Sequence, residues 1–251
     1  MRLLHPSVTG NAQVGYAMLS QQIRDFNVID FAIWLVGTAR VALSPVEIVA
    51  QTCNRLLAAG IPLWRVRVGQ RLINPLIGAW GVIWMRETGA EEYTVPRSVL
   101  ATSAFTGSPF EHVIKTRTRF RRSLQDLDPA RDHPVLFELA EDGSTDYLAL
   151  PIIYGDGSVQ GAAFTTDAAD GFSPAAMTLI EELSPFLAAA LEPAAMRRSA
   201  ESLLRTYLGD GPAERIAAGA IRRGDQVAIE AAVLLTDLRG YTPLSEQLPP
   251  P

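Results

Sequence analysis

Residues 145–192 read TDYLALPIIYGDGSVQGAAFTTDAADGFSPAAMTLIEELSPFLAAALE, and this stretch decides the fold. Two strand-forming runs, 147–154 and 158–165, flank Gly155-Asp156-Gly157, a sequence suited to a tight hairpin turn. Ser173 then supplies a capping hydroxyl, and Pro174 suits the first position of a helix. Met177, Ile180, Leu183, Leu187 and Leu191 follow at helical spacing. This helix is expected to continue past Pro193 to about Tyr207, kinked at Pro185 and Pro193.

Upstream, residues 11–43 are expected to be helical with a break near Gly37, and Ile29, Ile33, Leu35 and Val36 form an apolar stripe. Ser44-Pro45-Val46-Glu47 has the form of a capping box with proline at the first helical position. Val46, Val49, Cys53 and Leu56 follow on one face, and Gly60 stops the helix. Cys53 sits on that apolar face, so packing rather than reactivity is expected of it. Trp64, Val66 and Val68 alternate with Arg65, Arg67 and Gly69, the period of a half-buried strand. Residues 76–85 make a second strand with Trp80, Val82 and Trp84 on one face. Residues 86–107 are polar and irregular and are expected to be loop with one short helix at most. Ser108-Pro109-Phe110-Glu111 opens a short helix, and residues 134–140 form another, stopped by Gly143. The class is therefore α+β: an antiparallel sheet with flanking helices and a long C-terminal helix.

Composition narrows the function. Of 251 residues, 48% are hydrophobic and 20% charged, enough to bury a core. The net charge of −5 argues against a dedicated nucleic-acid binder. A single cysteine excludes an internal disulfide framework and suits a reducing, cytoplasmic setting. Neither apolar stretch, 28–37 or 72–85, offers about 18 uninterrupted apolar residues, so no membrane span is expected.

Within residues 44–192 the candidates for chemistry are few. His5, His112 and His133 show no metal-ligand spacing. Lys115, Arg117, Arg119, Arg121 and Arg122 form a cationic run whose alternation would put four charges on one strand face. Arg119 and Arg121 are its candidate ligand residues for an anion; the alternative is a solvated edge strand protected by charge. Trp80 and Trp84 are candidates to line an apolar ligand pocket, or else core. No Ser/His/Asp or Cys/His set, paired-carboxylate motif or Walker loop stands out, which suits a binding domain better than an enzyme.

The last fifty residues carry a different signal. An apolar run, 228–236, ends in Asp237-Leu238-Arg239-Gly240-Tyr241-Thr242. A buried strand is expected to deliver a carboxylate to a glycine turn ahead of a helix start, an arrangement that suits an anion and its counter-metal.

The stretch VAIEAAVLLTDLRGYTPLSEQLP (227–249) closely resembles the opening of the catalytic domain of class III adenylate and guanylate cyclases. LLRTYLGDGPAERIAAGAIRRGD (203–225) resembles the transducer that precedes that domain. Residues 145–192 look like the C-terminal half of a GAF-like sensory domain, and WLVGTAR (34–40) and NRLLAAGIPLWRVRV (54–68) like its N-terminal half. Asn74, in RLINPLIG, stands where such relatives often carry His.

The resemblance implies four parts: an N-terminal helical segment (1–43), a GAF-like sensor (44–192), a helical transducer (193–226) and the start of a cyclase domain (227–251). By resemblance, Asp237 would be the first of two metal-binding aspartates and Leu238 would offer its backbone carbonyl. Gly240, Tyr241 and Thr242 would lie along the triphosphate of ATP or GTP, with Mg²⁺ or Mn²⁺ as cofactor. The second aspartate and the transition-state residues of such domains have no counterpart before Pro251. This chain is therefore expected to make no cyclic nucleotide alone and to act as the dimerising, regulatory region of such an enzyme. The alternative is a free-standing GAF-like binding or dimerisation module. Its expected partners are a second copy and an unknown small ligand, with neither nucleic acid nor membrane among them.

Overall fold

The computed structural model describes residues 23, 26–222, 224, 230, 232–237, 239–241 and 246. By packing, the chain divides into two units, Met1–Glu214 and Arg215–Pro251.

The first unit opens with helix α1 (Val28–Trp34), capped by the Asn27 side chain, which accepts from the Asp30 N–H. It passes into a π-helical segment (Leu35–Ala39) and a final turn (Arg40–Ala42). The irregularity expected near Gly37 is this π segment; residues 11–22 lie outside the described residues. The expected stripe is only partly right. Leu35 is buried together with Phe31 and Ala39, whereas Ile29 and Ile33 are exposed, because residues two apart on a helix, as 31 and 33 are, face nearly opposite sides.

Helix α2 (Pro45–Ala58) begins with the expected capping box: Ser44 accepts from the Glu47 N–H, and Glu47 accepts from the Ser44 N–H. Cys53 is buried on its core face, and burial pushes its thiol pKa well up, away from reactivity. Then come β1 (Arg65–Arg71), β2 (Ile77–Met85) and β3 (Gly89–Pro96). The loop expected over 86–107 is thus corrected: it contains a full strand and a 3₁₀ turn (Arg97–Ala101). β3 is an edge strand whose Glu91 and Glu92 face solvent, so it lacks the apolar alternation that marks an inner strand.

Helix α3 (Pro109–Thr116) is capped by Ser108. β4 (Phe120–Ser123) is short. Helix α4 (Pro134–Glu141) is capped by the His133 ring, whose Nδ1 accepts from the Val135 N–H. β5 (Asp146–Ile153) and β6 (Val159–Thr166) form the expected hairpin. Helix α5 (Pro174–Leu208) then runs as one element through Pro185 and Pro193, and α6 (Asp210–Ala217) follows.

All strand pairs are antiparallel, in the order β3-β2-β1-β6-β5-β4. One face carries the main core. Val66, Val68, Trp80, Val82, Trp84, Leu148 and Phe164 meet the apolar sides of α1, α2 and α5. By length and composition α5 could span a bilayer, but half of its most apolar stretch is already buried within the fold. The other face has a smaller core, where Val113, Leu136 and Leu139 of α3 and α4 cover Tyr147, Ala149 and Ala163.

The cationic run does not lie on one strand face. Lys115 is on α3, Arg117 takes a left-handed conformation at its C-cap, and only Arg121 and Arg122 are in β4. The α3 C-terminus consumes the residues that alternation would have needed. Arg121 pairs at 2.9 Å with Asp146, which is 2% exposed and also accepts from the Phe172 N–H. Gly171 makes this contact possible: its φ is +69°, and a Cβ there would lie 2.7 Å from Asp146 Oδ2.

In the second unit the apolar run is not the expected buried strand. The described residues 232–237 form no strand, and Val233, Leu234 and Leu235 are exposed. No strand among the described residues pairs with them, and an unpaired run has no face to bury against. Gly240 turns the backbone at φ +77°, as a glycine turn requires.

Candidate functional site

The second face of the sheet holds a cavity of about 680 Å³, within the range of small-molecule sites. Its floor follows from the pleat. Val66 and Val68 turn toward the main core, so Arg65, Arg67 and Gly69 turn the other way, beside Ala163 and Thr165 of β6.

The cavity exists because this face is nearly free of large side chains at its centre. Gly69, Gly81 and Gly161 lie side by side across β2, β1 and β6. Aromatic rings seat directly on them. A Cβ on Gly161 would come within 2.6 Å of the Phe110 ring, and one on Gly81 within 2.8 Å of the Tyr93 hydroxyl. Phe110 and Tyr93 become the walls, with Phe105 and Val135 continuing the apolar lining.

Between those walls stands Arg67. Its guanidinium carbon lies 4.3 Å from the Tyr93 ring centroid and 5.5 Å from that of Phe110, a cation–π arrangement that fixes a planar group. Burial raises the Tyr93 pKa, while Arg67 pulls it back. Burial also raises that of Tyr147, on the β5 side of the floor. Arg65 is shifted the other way for a cation: burial and the neighbouring Arg67 both lower its pKa.

The cavity wall is tied to α5. Arg97, which lines the cavity, donates through Nε to the Asn74 carbonyl at 2.7 Å and through Nη2 to that of Leu72. Asn74 Oδ1 accepts from the Leu76 and Ile77 N–H groups, and Asn74 Nδ2 donates to Ser202 Oγ of α5 at 2.8 Å. A second tie comes from β3: Glu92 pairs with Arg198, which lies 4.3 Å over the Trp80 ring.

The residues singled out from sequence fall elsewhere. Trp80 and Trp84 are in the main core, on the opposite face of the sheet from the cavity. Arg119 pairs with Glu181 and Arg121 with Asp146, and neither lines the cavity. Asp237, Gly240 and Tyr241 are exposed; Leu238 and Thr242 lie outside the described residues. Among the described residues no three His, Cys, Asp or Glu side chains come together as a metal site.

Sequence reasoning missed Arg65, Arg67, Tyr93, Arg97 and Phe110. The available signal was a pair of arginines two apart on a strand, beside a glycine on the same face.

No family model and no curated protein matches the chain. Solved structures do, in fold. One is the GAF domain of a two-component sensor histidine kinase from Bacillus halodurans: 17% identity, TM-score 0.44, covering 62% of this chain and 98% of that one. The phycocyanobilin-bound GAF domain of a cyanobacterial phytochrome is 13% identical, with TM-score 0.48 and coverage of 68% and 97%. The GAF domain of a phosphoenolpyruvate-protein phosphotransferase from Coxiella burnetii is 14% identical, with TM-score 0.42 and coverage of 68% and 96%. This chain's own architecture is a six-stranded antiparallel sheet with flanking helices.

Proposed function

We propose that this chain is a sensory module: the cavity on the second sheet face takes a small ligand, and α5 transmits its presence. The observation that carries this reading is a cavity of about 680 Å³ whose wall residue Arg97 is hydrogen-bonded, through Asn74, to α5. A ligand that moves Arg97 acts on the 72–77 connection, and that connection is fastened to Ser202. Such a ligand shifts α5 only if it binds its two positions with different affinity. In a homodimer paired along α5, that shift would rotate the chain beyond the helix.

The finer reading is that the output is a class III adenylate or guanylate cyclase. What supports it is the DLRGYT motif at 237–242 and the transducer-like segment before it. In that reading Asp237 is one ligand of a two-metal site and does not act alone. In that reading the cavity and α5 supply the regulation.

The test is a thermal-shift screen of metabolites on the chain and on Ala79→Phe, which projects a ring into the cavity. A ligand at 100 times its Kd adds about 2.7 kcal/mol, a rise of several degrees in Tm. Stabilisation of the parent but not of the blocked variant is expected. Cysteines placed along residues 192–205 should then cross-link with a changed pattern when that ligand is present. A screen with no hit, or hits unaffected by Ala79→Phe, overturns the sensory reading; an unchanged cross-linking pattern overturns transmission through α5.

A further inference from the structure

Several arginines of this molecule are neutralised locally: Arg86, Arg119, Arg121, Arg122 and Arg198 each meet a carboxylate at 2.7 to 2.9 Å. Arg65 and Arg67 face the cavity, and among the described residues neither has a carboxylate within ion-pair distance.

Their placement is deliberate in the physical sense. They sit two apart on β1 with their side chains on one face, roughly 7 Å apart along the strand. Two half-buried guanidiniums at that spacing repel each other, and their surroundings already oppose the charge on Arg65. Arg67 cannot easily turn away, because Tyr93 and Phe110 hold its plane. Such a pair is costly in an empty site and is relieved by an anion.

The remaining charges of the lining agree. Five cationic side chains line the cavity against two carboxylates. Glu111 is occupied by Lys115 at 2.8 Å and by the Gly107 N–H. Glu138, exposed on α4, is the other. Further out, Asp142 adds only a distant attraction for Arg65. Apolar side chains of Phe105, Phe110, Ile114, Val135 and Leu139 make much of the remaining wall, beside uncharged polar groups that include Tyr93, Tyr147 and Thr165.

We infer that the ligand of this cavity is an organic anion: an oxyanion head held by Arg65 and Arg67, with a flat or apolar body against Phe110 and its neighbours. The planar fork of arginine matches a carboxylate or a phosphate, the two heads that share this chemistry. The inference rests on the sensory reading of the cavity and specifies what that cavity selects.

Four probes of one body size test it: 2-naphthoate, 1-naphthyl phosphate, 2-naphthol and 2-naphthylmethylamine, titrated by calorimetry into the full chain. At least one anion should bind more tightly than naphthol by roughly tenfold or more, and the amine most weakly. Whichever anion binds better identifies the head as carboxylate or phosphate. Arg65→Met and Arg67→Met should each lower anion affinity by about tenfold or more and change naphthol affinity far less; an equal loss for both probes overturns the head-group assignment. Arg67→Lys, which keeps the charge and loses the fork, should fall between. Circular dichroism melts identify variants that fail to fold, and the probe series on the parent chain decides the matter without them. Naphthol or amine binding as well as the anions overturns the anion inference and leaves the sensory reading standing. No binding by any of the four overturns this inference as well. The blocked variant Ala79→Phe and the wider metabolite screen then decide the sensory reading separately.

Discussion

Along β1, Val66 and Val68 turn to one side of the sheet, and Arg65, Arg67 and Gly69 to the other. The first side meets α1, α2 and α5 and is filled by indoles, leucines and valines. The second carries a smaller core under α3 and α4, and over β1 its cavity is walled by Phe110 and Tyr93, whose rings seat on the glycines of β2, β1 and β6. One strand therefore contributes to the main core and to the cavity floor at once, by alternation alone. The two kinds of side chain never compete for the same space.

The strongest way to break this contrast is to swap the damage. Trp80 is 1% exposed beneath Arg198. Trp80→Ala should cost about 3–5 kcal/mol in denaturant unfolding, and Trp80→Phe much less, because most of the ring volume stays. Arg67→Met, on the opposite face, should cost little or even stabilise, since it removes one of two repelling cations. Equal losses for Trp80→Ala and Arg67→Met would mean that the faces are not functionally divided.

The glycine floor offers a finer test. On Gly81 a Cβ would lie 2.0 Å from the Val68 carbonyl oxygen, which is backbone and cannot swing aside. On Gly161 the nearest atoms belong to the Phe110 side chain, which can. Gly81→Ala should therefore destabilise by about 1–3 kcal/mol. Gly161→Ala should cost less but displace Phe110 and weaken ligand binding. Unfolding midpoints and probe affinities measured on the same two variants separate the effects; the reverse ranking would refute this account of the floor.

The same contrast explains what could be read from sequence. The closed face announces itself: Trp80, Val82 and Trp84 alternate, the 155–157 turn marks the hairpin, and Ser44 and Glu47 mark a helix start. The open face does not, because it consists of missing volume. Nothing in the order Arg65-Val66-Arg67 says that glycines from two other strands will lie beside it. The second wall was hidden for another reason. β3 is a polar edge, so Tyr93, Val95 and Arg97 sit in a stretch with the composition of a loop. The cationic run misled for a third reason, since each of Arg119, Arg121 and Arg122 had a carboxylate distant in sequence or across a turn. The apolar run ending at Asp237 reads as a buried strand, but strand formation needs a partner, and no strand among the described residues pairs with it.

The smallest effect concerns how the open face is held. The closed face relies on apolar burial, which does not titrate. The segment leading into α4 relies on Asp132, which pairs with Arg122 at 2.8 Å and accepts from the Asp128 N–H. The Arg122 guanidinium, then the Asp128 N–H, hold the Asp132 carboxyl down at about 2, from an ordinary 3.8. A depressed carboxylate stabilises the fold fully above its unfolded pKa and loses that contribution as pH falls through the folded value. Stability should therefore decline between about pH 4 and pH 2 by an amount that Asp132→Asn removes. Raising the salt should shrink the difference, since the pair is partly solvated. Melts of both proteins across that window, at matched ionic strength, check this. If the difference between them is the same at pH 5 and pH 2, the pair does not hold the approach to α4, and the open face depends on its smaller apolar core alone.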